Sequence, residues 1–390
     1  MKKLSRIEKL ITELYLDNVR FKELEEVCEI ADQKRKPVKS GLRVSGTIPY
    51  YGANNIQDYV EGFTHDGDYV LIAEDGSASL ENYSVQYASG KFWANNHVHV
   101  IKGRQELDNK YLYHYLKSIN FVPYLSGGER AKLTKSRMID IKIPIPPLSI
   151  QKEIVKILDS FTELETELET ELEKRKKQYE YYKEEFFKPS LNYRAVFLKN
   201  LCDIGDGLHG TPKYDESGKY YFINGNNLKE GKIIFDKSTK KVNEEAYGKY
   251  GRLFSPGNTI FMSINGTIGN VSIFNNENIV LGKSVAYFSV KSDLLEPKYL
   301  FYLLKTNFSK SYFESQKTGS TIKNLGLKAL REFEIQLPPL SEQQRIVSIL
   351  DKFESLVNDI SIGLPAEIKA RHKQYEYYRN KLLTFKEKAE

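Results

Sequence analysis

Apolar residues recur at spacings of three and four along two long, otherwise polar stretches. In the first they are Ile154, Ile157, Leu158, Phe161, Leu164, Leu168, Leu172, Tyr179 and Tyr182; in the second, Ile346, Ile349, Leu350, Phe353, Leu356 and Ile360. This spacing predicts amphipathic helices that share a coiled-coil seam. Ser149 and Ser341, just after Pro-Pro-Leu, are the expected N-caps. A helix from Ser149 to Lys188 would be about 60 Å long at 1.5 Å per residue. The second pattern breaks at Gly363-Leu364-Pro365 and resumes over Ala366 to Phe385, with Pro365 in a fresh first turn. Elsewhere the pattern is short-ranged. Tyr69 to Ala73 and Thr259 to Met262 read as buried strands ending at Asp75-Gly76 and Asn265-Gly266 turns. Tyr111 to Ser118 and Tyr299 to Thr306 read as short helices. Ile141 to Pro147 and Phe333 to Pro339 read as extended stretches that Pro-Pro stops. Leu4, Ile7, Leu10, Ile11 and Leu14 pattern the N-terminal segment as a helix.

The two long stretches are copies. Residues 146–161 match residues 338–353 at 11 of 16 positions, offset by 192. Residues 175–183 match residues 371–379 at 7 of 9, offset by 196. Weaker echoes precede them: Val27-Cys28-Glu29-Ile30 with Leu201-Cys202-Asp203-Ile204, residues 67–76 with 257–266, and Lys110-Tyr111-Leu112 with Lys298-Tyr299-Leu300. The order is therefore domain, helix, domain, helix. The expected boundaries are an N-terminal helical segment at 1–19, a first domain at 20–147, a first linking helix at 148–190, a second domain at 191–339 and a second linking helix at 340–390. Neither helix can bury its stripe alone, and the simplest partner is the other one, antiparallel. The expected fold is α+β: two mixed α/β domains with curved, partly antiparallel sheets. They would be related by a pseudo-twofold axis and separated by two long antiparallel coiled-coil helices.

Charge and composition narrow the picture modestly. The net charge is +6, from 58 basic and 52 acidic residues, which permits an anionic partner without requiring one. Two cysteines, Cys28 and Cys202, are too few for a disulfide scaffold or a four-cysteine zinc site and occupy equivalent positions, as core residues would. No run approaches a membrane span, and no signal-peptide core opens the chain, so a cytoplasmic location is expected.

The doubled Pro-Pro-Leu-Ser-x-Gln start, Ile-Val-x-Ile-Leu-Asp-x-Phe helix and Lys-Gln-Tyr-Glu-Tyr-Tyr ending resemble the specificity subunits of type I restriction–modification systems. The resemblance covers essentially the whole chain. It implies that each globular unit is a target-recognition domain reading one half of a bipartite site in double-stranded DNA. It implies that the helices dock methyltransferase subunits, two of them, which recruit restriction and translocase subunits. It also implies that short tandem repeats in the first helix set the gap between half-sites. Three copies of Thr-Glu-Leu-Glu at 162–173 fit that description, and the change of offset from 192 to 196 falls across them.

That reading predicts no catalysis by the chain itself. Methyltransferase motifs of the Asn-Pro-Pro-Tyr type are missing, since both Pro-Pro pairs precede leucine. Gly282-Lys283-Ser284 ends like a P-loop, but residue 277 is glutamate where the loop needs glycine. Glu367-Ile368-Lys369 is half a nuclease motif on a polar helix. His97 and His99 alternate as on a strand rather than as metal ligands. No metal and no cofactor is expected on this chain; S-adenosylmethionine is expected in the partner methyltransferase. The competing readings are a structural coiled-coil adaptor for proteins and a self-contained DNA methyltransferase or nuclease.

For DNA, lysine and arginine would contact phosphates while polar side chains on loops read base edges. In the first domain the candidates are Lys34, Arg35, Lys36, Arg43, Tyr50, Tyr51, Asn54, Asn55, Ser77, Asn95, Asn96, Arg130, Lys132 and Lys135. In the second they are His209, Lys213, Asn224, Asn226, Asn227, Asn265, Thr267, Lys283, Lys317, Ser320 and Lys323.

Overall fold

The computed structural model describes residues 19–127, 131–190, 192–229, 231–319, 323–359 and 361–386. The expected N-terminal helix up to Asn18, together with Arg130, Ser320 and Ile360, lies outside the described residues. The chain divides into two compact units. One runs to Glu169 and resumes at Glu367; the other is Thr170–Ala366.

In the first unit β1 (Cys28–Ile30), β2 (Tyr69–Ala73), β3 (Val85–Ala88) and β4 (Val98–Gly103) form an antiparallel sheet in the order β1-β4-β2-β3. All five residues of β2 are buried because both faces are covered. Val70 and Ile72 pack with α1 (Asn109–Ser118). Tyr69 and Leu71 pack with Phe92 and Ala94 of a second sheet. This explains the unbroken apolar run, which an alternating half-exposed strand would not show. The second sheet orders Ile56–Val60, Ser45–Tyr51, Lys91–Ala94 and His65–Asp66, with Tyr50 and Tyr51 running parallel to Trp93 and Ala94. Arg20–Glu23 pairs antiparallel with Lys142–Ile145, the extended stretch leading into α2 (Leu148–Phe186).

The second unit repeats this plan. β5 (Cys202–Asp206), β6 (Thr259–Ser263), β7 (Val271–Ile273) and β8 (Val285–Val290) are ordered β5-β8-β6-β7, again antiparallel. Tyr220–Ile223 runs parallel to Ile279–Leu281 in its second sheet. Ile260 and Met262 pack with α3 (Pro297–Leu304), and Phe261 faces the other way. Arg194–Phe197 and Glu334–Leu337 pair as their counterparts do, ahead of α4 (Leu340–Asn358). Both cysteines open the edge strand of their sheet and are buried, and burial pushes each thiol up to about 12.

The helix starts differ from expectation. Ser149 and Ser341 lie inside the first turn, because the carbonyls of Pro147 and Pro339 already accept the first helical amides. The residue that anchors each start is the glutamine two positions on. Fully buried Gln151 donates to the carbonyls of Pro146 and Glu106 and accepts from the Asp108 amide, at 2.8, 2.9 and 2.8 Å. Gln343 repeats the set with Pro338, Leu294 and Glu296, at 2.8, 2.8 and 2.9 Å. Since Asp108 and Glu296 are the N-caps of α1 and α3, one amide side chain joins two helix starts in each unit. About two turns further on, Asp159 takes Lys110 and His114, while Asp351 takes Lys298 and the Tyr302 hydroxyl.

The helix seam is antiparallel within each unit. In the first, Phe161 stacks on Tyr378 of α5 (Leu364–Leu382) at 5.6 Å, and Glu165 bonds His372. In the second, Phe353 packs on Tyr182 at 5.6 Å, and Arg345 lies over Phe186. The sequence break at Gly363 separates α4 from α5, as its glycine and proline require. The four extra residues of the second copy fall at this interruption, between the end of α4 at Asn358 and the start of α5 at Leu364. The offset therefore reflects a turn inserted in one copy, not an added helical turn. All three Thr-Glu-Leu-Glu copies sit in uninterrupted α2.

Candidate nucleic-acid interface

Four loops in each unit come together at one end of the central sheet. In the first unit, Asn54 donates to the Gly76 carbonyl at 2.8 Å and accepts from the Ala78 amide at 2.7 Å, tying the 52–55 loop to the 75–79 loop. Asp75 is bridged to Lys132 through the backbone and bonds His97, which brings in Lys132, with Ser126 bridged to it, and the 95–97 segment. In the second unit the Ser284 hydroxyl donates to Asn224 at 3.0 Å and Asn265 reaches the Lys283 carbonyl at 3.3 Å. The Gly266 amide donates to the Lys323 carbonyl at 3.1 Å. Gly76 and Gly266 have φ near +70°, the left-handed backbone that makes glycine the fitting residue at these two loop corners.

Within these clusters the candidate residues divide by direction. Asn54, Asn55 and Asn96 are exposed in the first unit, as are Lys34, Lys36 and Lys135. Asn224, Asn226, Thr267, Lys213, Lys283 and Lys323 are exposed in the second. His209 is exposed and bonded to Asp206 at 2.6 Å. These groups present amides, hydroxyls and ammonium groups at exposed positions of each unit, the chemistry that suits base edges and phosphates. A cleft of about 440 Å³ opens beside the first, lined by Asn54, Asn55, Gln86, Tyr87, Lys110 and Tyr113 among others.

The remaining described candidates are tied into the fold by their own contacts. Tyr50 is buried, and its hydroxyl accepts from the Val38 amide at 3.0 Å. Arg43 stacks on that ring at 4.1 Å and pairs with Asp58. Tyr51 is buried with Phe92. Asn95 is 4% exposed and holds the His97 amide. Asn227 donates to the Ile234 carbonyl and the Thr239 hydroxyl. Ser77 closes its own loop through Ser79 and Ser84, and Asn265 is half-buried. Lys317 pairs with Glu314. Arg35 donates to Glu74 and to the Val98 carbonyl, both at 2.7 Å, and Lys132 reaches the other Glu74 oxygen at 2.8 Å. Burial alone would raise the Glu74 pKa; the Lys132 and Arg35 hydrogen bonds outweigh it and hold the carboxyl below its usual range. These residues shape the surface from beneath.

His97 and His99 do not share a ligand position. His97 sits in the turn before β4 and faces Asp75, while buried His99 faces Asp32. Among the described residues no group of three His, Cys, Asp or Glu side chains is placed to hold a metal ion. Among them, too, no helix is long and apolar enough to cross a membrane.

The duplicated architecture has known counterparts. The family profile described as the type I restriction modification DNA specificity domain matches residues 17–175 and again 191–370. A putative type I restriction enzyme specificity subunit of Haemophilus influenzae is 47% identical over 385 residues, covering 94% of this chain and 96% of the relative. The EcoR124I/EcoR124II specificity subunit of Escherichia coli is 34% identical over 292 residues, covering 71% and 70%. The fold also matches the type I restriction–modification S subunit from M. genitalium, with a TM-score of 0.58 at 14% identity, covering 94% of this chain and 97% of that one. The HsdS subunit from Thermoanaerobacter tengcongensis gives a TM-score of 0.53 at 18% identity, with 95% and 97% covered. With its domain matched twice over most of the chain, this protein belongs to the type I restriction–modification DNA specificity family and is a specificity subunit.

Proposed function

We propose that each loop cluster reads one half of a bipartite site in double-stranded DNA, and that the chain does no chemistry on the DNA it reads. The observation that carries this reading is the doubled site: one scaffold made twice, with equivalent loops that present different side chains. Asn96 stands where the second copy has Lys283, and Asp75 where it has Asn265. A repeated frame with divergent contact residues is what two different half-sites require. The helical segments, nearly identical between copies, suit two copies of one partner, a methyltransferase subunit that holds S-adenosylmethionine. Restriction and translocase subunits join through that partner, and the length of α2 sets the spacer. The buried, protonated thiols of Cys28 and Cys202 fit a recognition role rather than nucleophilic attack on a base.

Reconstitution with the methyltransferase partner tests this. The assembled complex with S-adenosylmethionine is expected to methylate a single two-part motif, and this chain alone to methylate none. Methylation by the isolated chain would support a self-contained enzyme. Loss of sequence-selective DNA retention in the assembled complex would support a protein adaptor.

A further inference from the structure

The two loop clusters rest on different foundations. Beneath the first lies an ionic knot of Asp32, Arg35, Glu74, His99 and Lys132. Arg35 joins Glu74, the Asp32 carbonyl and the Val98 carbonyl, at 2.7, 3.1 and 2.7 Å. Lys132 binds Glu74 from the closing loop. His99, 1% exposed, lies 2.7 Å from the Asp32 carboxylate and 2.8 Å from the Leu133 carbonyl. The ring thus lies between the Asp32 and Leu133 segments. Four chain segments, around residues 32–36, 74–75, 96–99 and 132–133, thus meet in one charged cluster.

Among the described residues the second unit has no such cluster at the equivalent place. Register aligns His99 with Ala286, since Ile72 faces one and Met262 the other. The amides of Leu133 and Leu325 donate to the carbonyls of Glu74 and Ile264, which aligns those residues and places Asn324 where Lys132 stands. Lys36 and Leu208 donate to the last residues of equivalent strands, which aligns Arg35 with Gly207. Ile264 is 3% exposed within the apolar core. An arginine, a glutamate and a histidine in one copy therefore correspond to glycine, isoleucine and alanine in the other.

From this contrast we infer that the Arg35–Glu74–Lys132 knot is a positioning device for the first recognition surface alone. It fixes the relative placement of the loops bearing Asn54, Asn55 and Asn96 without touching DNA. The inference rests on the half-site reading above. An ionic cluster that is buried at His99, largely buried at Asp32, Arg35 and Glu74, and closed on its open side by Lys132 favours one arrangement of its segments, since any other leaves charges unpaired; a purely apolar contact tolerates sliding. Glu74 is the keystone because it accepts from both cations.

Glu74→Gln and Lys132→Gln chains, each assembled with the methyltransferase partner in cells, test it by methylome sequencing. The expected result is a motif that turns degenerate in one half only, with discrimination there falling about tenfold or more. The other half and the spacer stay unchanged. A merely structural defect would lower methylation of the wild-type motif without changing its letters. Wild-type motifs from both variants, or equal degeneration of both halves, would overturn the inference. If Glu74→Gln does not accumulate as folded protein, Lys132→Gln decides, since the Lys132 side chain is 44% exposed and lies outside the apolar core. A wild-type chain that yields no two-part motif would instead strike the half-site reading itself.

Discussion

Replacing Gln151 by alanine would strand three groups at a helix start: the Asp108 amide and the carbonyls of Glu106 and Pro146. Buried polar groups left unpaired are costly, so Gln151→Ala should destabilise its unit by about 2 kcal/mol or more, and Gln343→Ala the other by a similar amount. Because the two share no partner, the double variant should lose about the sum, as urea unfolding would measure. Asp159 supplies a pH-dependent counterpart. The His114 hydrogen bond, joined by Lys110 and opposed by burial, holds its carboxyl below the usual 3.8. A depressed folded pKa gives stability that is present above the unfolded value and lost as pH falls through the folded one. Wild type should therefore lose stability below about pH 4 more steeply than Asp159→Asn, seen in urea midpoints across that range. At this scale the sequence was only half legible. Asn54 and Asn95 look alike as letters in polar loops; one faces outward, while the other is buried against a backbone amide that only the folded chain supplies. Gln151 stood out as part of a repeated block, yet its task depended on α1, about forty residues away in sequence.

Helices and strands were far more legible, because their signals are local and periodic. The buried strand Tyr69–Ala73 emerged at its anticipated bounds. The helix starts were missed by two residues, since the N-caps are Pro147 and Pro339, whose carbonyls accept the first helical amides, and not Ser149 and Ser341. The turn that ends the second helical stretch has room only for glycine at 363: a β-carbon there would meet the carbonyl oxygens of Ser355, Leu356 and Asp359 at 2.5, 2.7 and 2.8 Å. Gly363→Ala should therefore cost about 1–3 kcal/mol in thermal or chemical unfolding through overcrowding of this turn. Deleting Thr166 to Glu169 from α2 removes about 6 Å of helix and shifts the phase of the seam by roughly 40°. Under the proposed spacer role, the deletion should shorten the gap between half-sites and leave both halves unchanged in the methylome. A changed half-site would refute the ruler.

Across the molecule, duplication was visible first in the helices, where one set of contacts is made twice: Phe161 on Tyr378, Phe353 on Tyr182. The globular units hid the same fact, since their sheets share topology while their loop residues have diverged. Only strand order and register restore the equivalence, and they also expose the contrast between an ionic and an apolar foundation. The central claim is that each unit reads its own half-site. Its most direct test replaces residues 191–339 with the corresponding domain of another specificity subunit and sequences the methylome of the resulting strain. One half of the two-part motif should change while the other half persists. If both halves change, or neither does, the claim is contradicted.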